Sequence, residues 1–249
     1  MGVRHELKVL FEKLTRTHVY RDLPRGTNLF DDLREWLPNL RVETVFDVGA
    51  NVGQSARKYL HEFPGSQIYC FEPVGENFKK LEENLRGQGK VQSFKLALSS
   101  AKGTGQMAPG GGSQMFFLSR DVPGTPSQSP VRLEEVPLET LDGFCWDRKI
   151  DRISFLKIDT EGNDLEVLKG AEELLSLQNI DVVEVEAGMN GKNKRHVPLG
   201  DFIVFLEARS YYLFGVYDQA HEWPAREPQL RRSNLVFISE RTIHGNTGR

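Results

Sequence analysis

The chain has 249 residues, 39% hydrophobic and 27% charged, with 23 Gly, 12 Pro and 2 Cys. That length suits one large α/β domain, or one domain with a substantial appendage, with ample chain for a core, and the composition excludes wholesale disorder, a disulfide framework and a four-cysteine zinc site. Thirty-two Lys and Arg against 35 Asp and Glu leave a formal charge of −3, so there is no overall basic field for nucleic acid or an anionic membrane.

No run approaches the ~20 apolar residues that span a bilayer. The opening Met1-Gly2-Val3-Arg4-His5-Glu6 is charged and lacks the apolar stretch of a secretory signal, and Glu6 stands where myristoylation needs Ser or Thr. The expected setting is cytoplasmic. Residues 5–16 place Leu7, Leu10, Phe11 and Leu14 on one helical face, expected to pack as a cap on the domain rather than lie on a membrane. A second short helix over 30–37, led in by Asn28 and closed by Pro38, completes a helical cap over 1–40.

The rhythm then changes. Residues 42–48 form an apolar run ending in Gly49-Ala50-Asn51-Val52-Gly53, and 54–63 read as a helix stopped by Pro64-Gly65. A strand at Gln67–Phe71, where Cys70 acts as a small buried hydrophobe, precedes a helix over 76–86 and a strand over 91–98. Residues 101–130, rich in Gly, Pro and Ser, interrupt the domain of 41–249 as an insertion. It is either a mobile lid or a small hairpin built from 115–118 and 131–138. The pattern resumes with a strand at Ile153–Ile158, a helix over 165–177 and a strand over 180–185. Strands alternating with helices mean βαβ units and a parallel sheet covered on both faces. A helix over 202–208 is followed by strands over 211–216 and 234–239 with no helix between them, so that last pair is expected to be antiparallel. Tyr211 and Tyr212 read as core, while Tyr217 and Trp223 could instead stack on a sugar ring.

Chemistry concentrates at strand ends. In Asp47-Val48-Gly49-Ala50-Asn51-Val52-Gly53 the glycines permit a tight turn and close ligand approach, and the helix start offers free N–H groups to an anion. A dinucleotide fingerprint would need glycine at 49, 51 and 54, where the chain has Gly49, Asn51 and Gln54, and the Gly-Lys-Ser/Thr of a phosphate loop is absent. An acid before the turn suits a cationic amino group, and the helix end suits a carboxylate; an amino acid joined to a nucleoside meets both demands. Glu72, in Phe71-Glu72-Pro73, can accept hydrogen bonds from both ribose hydroxyls.

Asp159 and Glu161 are two residues apart after the 153–158 strand and would face one side in extended backbone. They could share a proton, hold a divalent cation or orient a hydroxyl; the competing reading is helix capping by Asp159 or Thr160. Glu184 and Glu186 close the next strand and could face the same crevice. His196, in Lys192-Asn193-Lys194-Arg195-His196, and His221 are rival bases, and this basic run lacks the interleaved aromatics of a nucleic-acid groove.

With FDVGANVGQ (46–54), IYCFEP (68–73), ALSS (97–100), VPLETLDGF (136–144), FLKIDTEGNDLEVLKGA (155–171) and SNLVFIS (233–239), the chain resembles the FkbM-like S-adenosylmethionine-dependent methyltransferases, a branch of the class I superfamily. The resemblance runs from about residue 40 onward. It implies an α/β, Rossmann-like fold: a seven-stranded, mostly parallel sheet with the last strand antiparallel and helices on both faces. It also implies S-adenosyl-L-methionine as cofactor. Asp47, Gly49, Asn51 and Gly53 would surround its methionine part, Glu72 would bind its ribose, and Ala97, Leu98 and Ser99 would lie beside the adenine. Gln54 and Pro73 complete the cofactor set, and Asp159 would line the methyl-transfer crevice. The expected activity is O-methylation of a sugar, glycan or other natural product. Asp159, Glu161 and Glu186 would form an acidic centre with or without a divalent cation such as magnesium, and His196 or His221 would be the alternative base. The rival functions are an RNA methyltransferase, which would usually show a basic domain or an Asn/Asp-Pro-Pro-aromatic motif, and a non-catalytic cofactor-binding protein. The expected partner is a small-molecule or glycan acceptor, with no nucleic acid and no membrane. The N-terminal helix could pack across the two-fold axis of a homodimer.

Overall fold

In the computed structural model, which describes residues 3–20, 23–109, 116–119, 133–222 and 227–247, the alternating segments assemble into two sheets. In chain order the elements are α1 (Val3–Thr15), α2 (Leu29–Trp36), β1 (Thr44–Val48), α3 (Gln54–Glu62), β2 (Gln67–Phe71), α4 (Gly75–Asn84), β3 (Val91–Phe94), β4 (Ala97–Leu98), β5 (Gly103–Pro109), β6 (Phe116–Ser119) and β7 (Glu134–Glu139). Then come α5 (Leu141–Arg148), β8 (Ile153–Ile158), α6 (Asp164–Lys169), α7 (Glu172–Ser176), β9 (Ile180–Gly188), α8 (Leu199–Glu207), β10 (Tyr211–Glu222), β11 (Glu227–Ser239) and α9 (Glu240–Thr247).

The main sheet has the order β10-β11-β9-β8-β1-β2-β3. Its inner pairs are parallel, and β11 runs antiparallel to both of its neighbours, as expected. Every residue of β8 and β9 is buried, the signature of parallel strands covered on both faces. Period-two alternation sends Phe46, Val48, Leu156, Ile158, Val183 and Val185 into one core cluster and Val45, Phe155, Val182 and Val236 into the other.

Several boundaries differ from the sequence reading. The strand expected over 91–98 divides: β3 stays in the main sheet, while β4 pairs with β7 in a second sheet of order β4-β7-β5-β6. The expected hairpin does not form, because β6 and β7 both pair with β5 and are separated by it. Backbone pairing made β5 from a Gly-rich stretch with no apolar alternation to announce it. Residues 110–115 and 120–132, including Gly110-Gly111-Gly112, lie outside the described residues, as does Trp223. The helix expected over 165–177 breaks into α6 and α7 at Gly170, which abuts the Ser99 carbonyl.

The N-terminal helices behave differently from each other. Asn28 caps α2 by accepting from the backbone N–H groups of Phe30 and Asp31, and Leu29, Phe30, Leu33 and Leu37 are buried. The apolar face of α1 does not pack as a cap: Leu7, Leu10, Phe11 and Leu14 are all more than half exposed. Tyr211 is core and donates its hydroxyl to the Ile180 carbonyl at 2.8 Å, whereas Tyr212 is exposed, because successive strand residues point to opposite faces. Tyr217 is also core, donating to Asp32 at 2.8 Å. Burial pushes the Cys70 thiol up, as fits a small hydrophobe. No helix among the described residues is long and apolar enough to cross a membrane.

Candidate active site

From β1 the chain builds outward to β2 and β3, then restarts on the other side with β8 and β9. The strand order therefore reverses beside β1, and open α/β sheets bind ligands at such a point, outside the carboxyl ends of the strands. A cleft enclosing about 880 Å³, part of it open to solvent, lies there. Its walls include Gly49, Asn51, Gln54, Glu72, Pro73, Ala97, Leu98, Lys157, Asp159 and Glu161.

The turn after β1 is shaped by backbone contacts. The N–H groups of Gly49 and Ala50 both donate to the Phe71 carbonyl at 3.0 Å. Gly49 has φ +83°, and a Cβ there would stand 1.9 Å from the Asp159 carbonyl oxygen, so only glycine fits. The Asn51 N–H donates to Glu72 Oε2 at 2.9 Å, while the buried Asn51 Oδ1 has no hydrogen-bond partner. The other Glu72 oxygen accepts from the Val74 N–H at 2.9 Å. Burial pushes the Glu72 carboxyl up to about 7 despite those two backbone donors.

Three residues expected on the cofactor lie behind the cleft wall rather than on it. Asp47 is fully buried, with Oδ1 3.5 Å from Lys157 Nζ and Oδ2 unpartnered. Burial raises its carboxyl and Lys157 opposes the rise. Gly53 starts α3 at φ +91°, and a Cβ there would press on Leu81 and Leu85, so it serves helix packing. Ser99 is buried, its N–H donating to the Glu139 carbonyl.

At the end of β8, the Asp159 N–H extends the β1 ladder by donating to the Val48 carbonyl at 2.9 Å. Its carboxylate stands 3.3 Å from Lys157 Nζ, with 38% of the side chain exposed. Glu161 shares the cleft wall with Asp159, at a point where the chain leaves the strand with φ +57°. It meets Arg195 Nε at 2.6 Å, and burial raises its carboxyl while Arg195 opposes the rise. Glu186 Oε2 is 2.6 Å from His196 Nε2, and its Oε1 pairs with Arg232. The other His196 nitrogen, Nδ1, meets the Asn193 side-chain amide, and the imidazole is buried. Through these contacts His196 ties the 189–198 loop to Glu186 on β9. His221 is exposed on β10 and outside the cleft.

The expected metal set is also rearranged. Donor atoms of Glu161, Glu186 and His196 lie within 4.8 Å of one another, whereas Asp159 is not part of that cluster and pairs with Lys157. Arg195 and Arg232 already balance the two glutamates, so the cluster does not fit a divalent cation as arranged. Lys157, Asn193 and Arg232 were missed by sequence reasoning. The one available signal was a lysine inside the mostly apolar ISFLKI strand, two residues before Asp159.

A family model described as the methyltransferase FkbM domain matches residues 47–213, from the end of β1 to the start of β10. The 2-O-methyltransferase NoeI of Sinorhizobium fredii is 27% identical over 143 residues, covering 53% of this chain and 58% of that protein. The hexuronic acid methyltransferase AglP of Haloferax volcanii is 28% identical over 154 residues, covering 61% and 59%. The chain thus spans about three-fifths of the length of these curated relatives. The crystal structure of methyltransferase FkbM from Methylobacillus flagellatus KT shares the fold, with a TM-score of 0.54 at 18% identity, covering 80% of this chain and 44% of that one. Since the family model takes in more than half of the chain, the protein belongs to the methyltransferase FkbM family.

Proposed function

We propose that the protein is an S-adenosyl-L-methionine-dependent O-methyltransferase acting on a hydroxyl of a sugar, glycan or other small acceptor. The observation that carries this reading is the cleft at the carboxyl ends of the strands, whose wall joins the glycine turn at Gly49 and Asn51 to the buried, strand-end Glu72 carboxylate. Glu72 would take the ribose hydroxyls. The start of α3, which has no side-chain cap, offers N–H groups to a carboxylate. Ala97 and Leu98 supply an apolar flank for a purine. Glu72, Asp159 and Glu161 outnumber Lys157 on the cleft wall, a balance that favours a cationic ligand.

The bound cofactor would supply a methyl group already activated on a sulfonium. The protein then has to align an acceptor hydroxyl and take its proton as the new O–C bond forms. Asp159, on the cleft wall and partly exposed, would accept that proton. The name of AglP, a hexuronic acid methyltransferase, supports a sugar acceptor, and that of NoeI, a 2-O-methyltransferase, supports transfer to oxygen. Calorimetric titration with S-adenosylhomocysteine, followed by labelled methyl transfer to pooled glycans, tests the reading. Binding and transfer are expected; no binding at millimolar concentration, or retention of a pyridine nucleotide instead, would overturn it.

A further inference from the structure

Resting on that function, we propose that Lys157 is a positioning residue: braced against Asp47, its ammonium fixes the Asp159 carboxylate on the cleft wall as the anion that receives the acceptor's proton.

Asp47, Lys157 and Glu184 are register neighbours on three adjacent parallel strands, so their side chains rise from one face of the sheet. A cation in the middle of a parallel sheet is costly unless carboxylates surround it. Lys157 Nζ has Asp159 at 3.3 Å and Asp47 at 3.5 Å, with the charge of Glu184 also close by. Burial alone would lower the Lys157 ammonium, and these three acids more than offset that, so it stays charged. The acids differ in access. Asp47 is fully buried, and Glu184 is buried and accepts from Asn234 Nδ2 at 2.8 Å. Asp159 alone of the three lines the cleft. Lys157 therefore joins a fixed acid beneath the cleft to a reachable acid on its wall.

Other groups face this network from every side. Tyr59 and Lys58 approach from α3, Cys70 from β2, Asp218 from β10 and Asp164 from α6, while Glu161 follows Asp159 on the same turn. Among the described residues, Lys157 is the cation in hydrogen-bonding reach of Asp159. Its removal would leave Asp159 among like charges.

The experiment compares the pH profile of kcat/KM for the full chain, Lys157→Met and the double variant Lys157→Met/Asp47→Asn. The double variant removes a buried charge of each sign and so guards against simple misfolding. In Lys157→Met the acid limb should move up by about one pH unit, a roughly tenfold loss on the acid side that narrows toward alkaline pH. The affinity for S-adenosylhomocysteine should change less than the rate. In the double variant, thermal stability should recover while the limb stays displaced, though by less. A limb unmoved in both variants, or a double variant with the parent profile, overturns the role of Lys157 and leaves the methyltransferase reading standing. A parent protein that neither binds the cofactor product nor transfers a methyl group overturns both.

Discussion

Gly49 and Asp159 meet backbone to backbone: a Cβ on Gly49 would stand 1.9 Å from the Asp159 carbonyl oxygen. The turn after β1 and the reactive end of β8 are thus one contact, so a change at either moves both. Gly49→Ala combines that clash with a left-handed φ of +83°. It should cost about 1–3 kcal/mol in backbone strain and remove measurable S-adenosylhomocysteine binding. Chemical denaturation and calorimetry would check the two parts.

Glu72 gives a pH test with a definite sign. Its folded value of about 7 lies above the ordinary 4.5 of a glutamate. In that window the folded protein keeps a proton that the unfolded chain has released, so this contribution to stability is full below 4.5 and is lost as pH rises through about 7. The ligand-free thermal midpoint should fall over that range, and less steeply in Glu72→Gln. Ribose binding needs the anion, so S-adenosylhomocysteine should bind the parent more tightly as pH rises through 7. The glutamine variant should bind about tenfold or more weakly, with a flatter pH dependence.

Asp159→Asn keeps the shape of the side chain and removes its ability to take a proton. The expected loss in kcat is about 10²–10⁴-fold, the usual range for general-base catalysis, with cofactor-product affinity nearly unchanged. An unaltered kcat would remove Asp159 from the proton step.

His196→Ala leaves Glu186 and the Asn193 amide without their buried partner and should destabilise the protein by about 1–3 kcal/mol. The 189–198 loop should then become more open to proteolysis, and the KM for the acceptor should rise. A large kcat loss with stability intact would instead make His196 the base and overturn its reading as an anchor.

The two N-terminal helices should respond oppositely to truncation. Leu10→Ser on the exposed face of α1 should change stability by less than about 0.5 kcal/mol. Phe30→Ala removes a buried ring from α2 that packs edge-on against Phe63, and should cost about 3–5 kcal/mol. Denaturant unfolding of the two variants makes the comparison.

Amphipathic periodicity revealed α1 as a helix but could not tell whether its stripe finds a partner, since that depends on where the 16–28 segment directs it. Likewise the Gly49 turn and the strand-end acids at 72 and 159 were legible from local pattern, because each sits where an apolar run stops. Glu161 shares the cleft wall with Asp159, as the spacing suggested, but its ion pair with Arg195 lies 34 residues along the chain and no local pattern announces it. Strand β5 was hidden because a strand made largely by backbone hydrogen bonds needs no apolar alternation.

The amino-acid order alone determined the succession of the main-sheet strands, the antiparallel last pair and the glycine turn after β1. These follow from steric preference and burial over a few neighbouring residues. Tertiary structure alone decided that Asp47 answers to Lys157 and that Glu186 holds His196. Those pairs lie 110 and 10 residues apart and form only once strand register and loop closure have brought their side chains together.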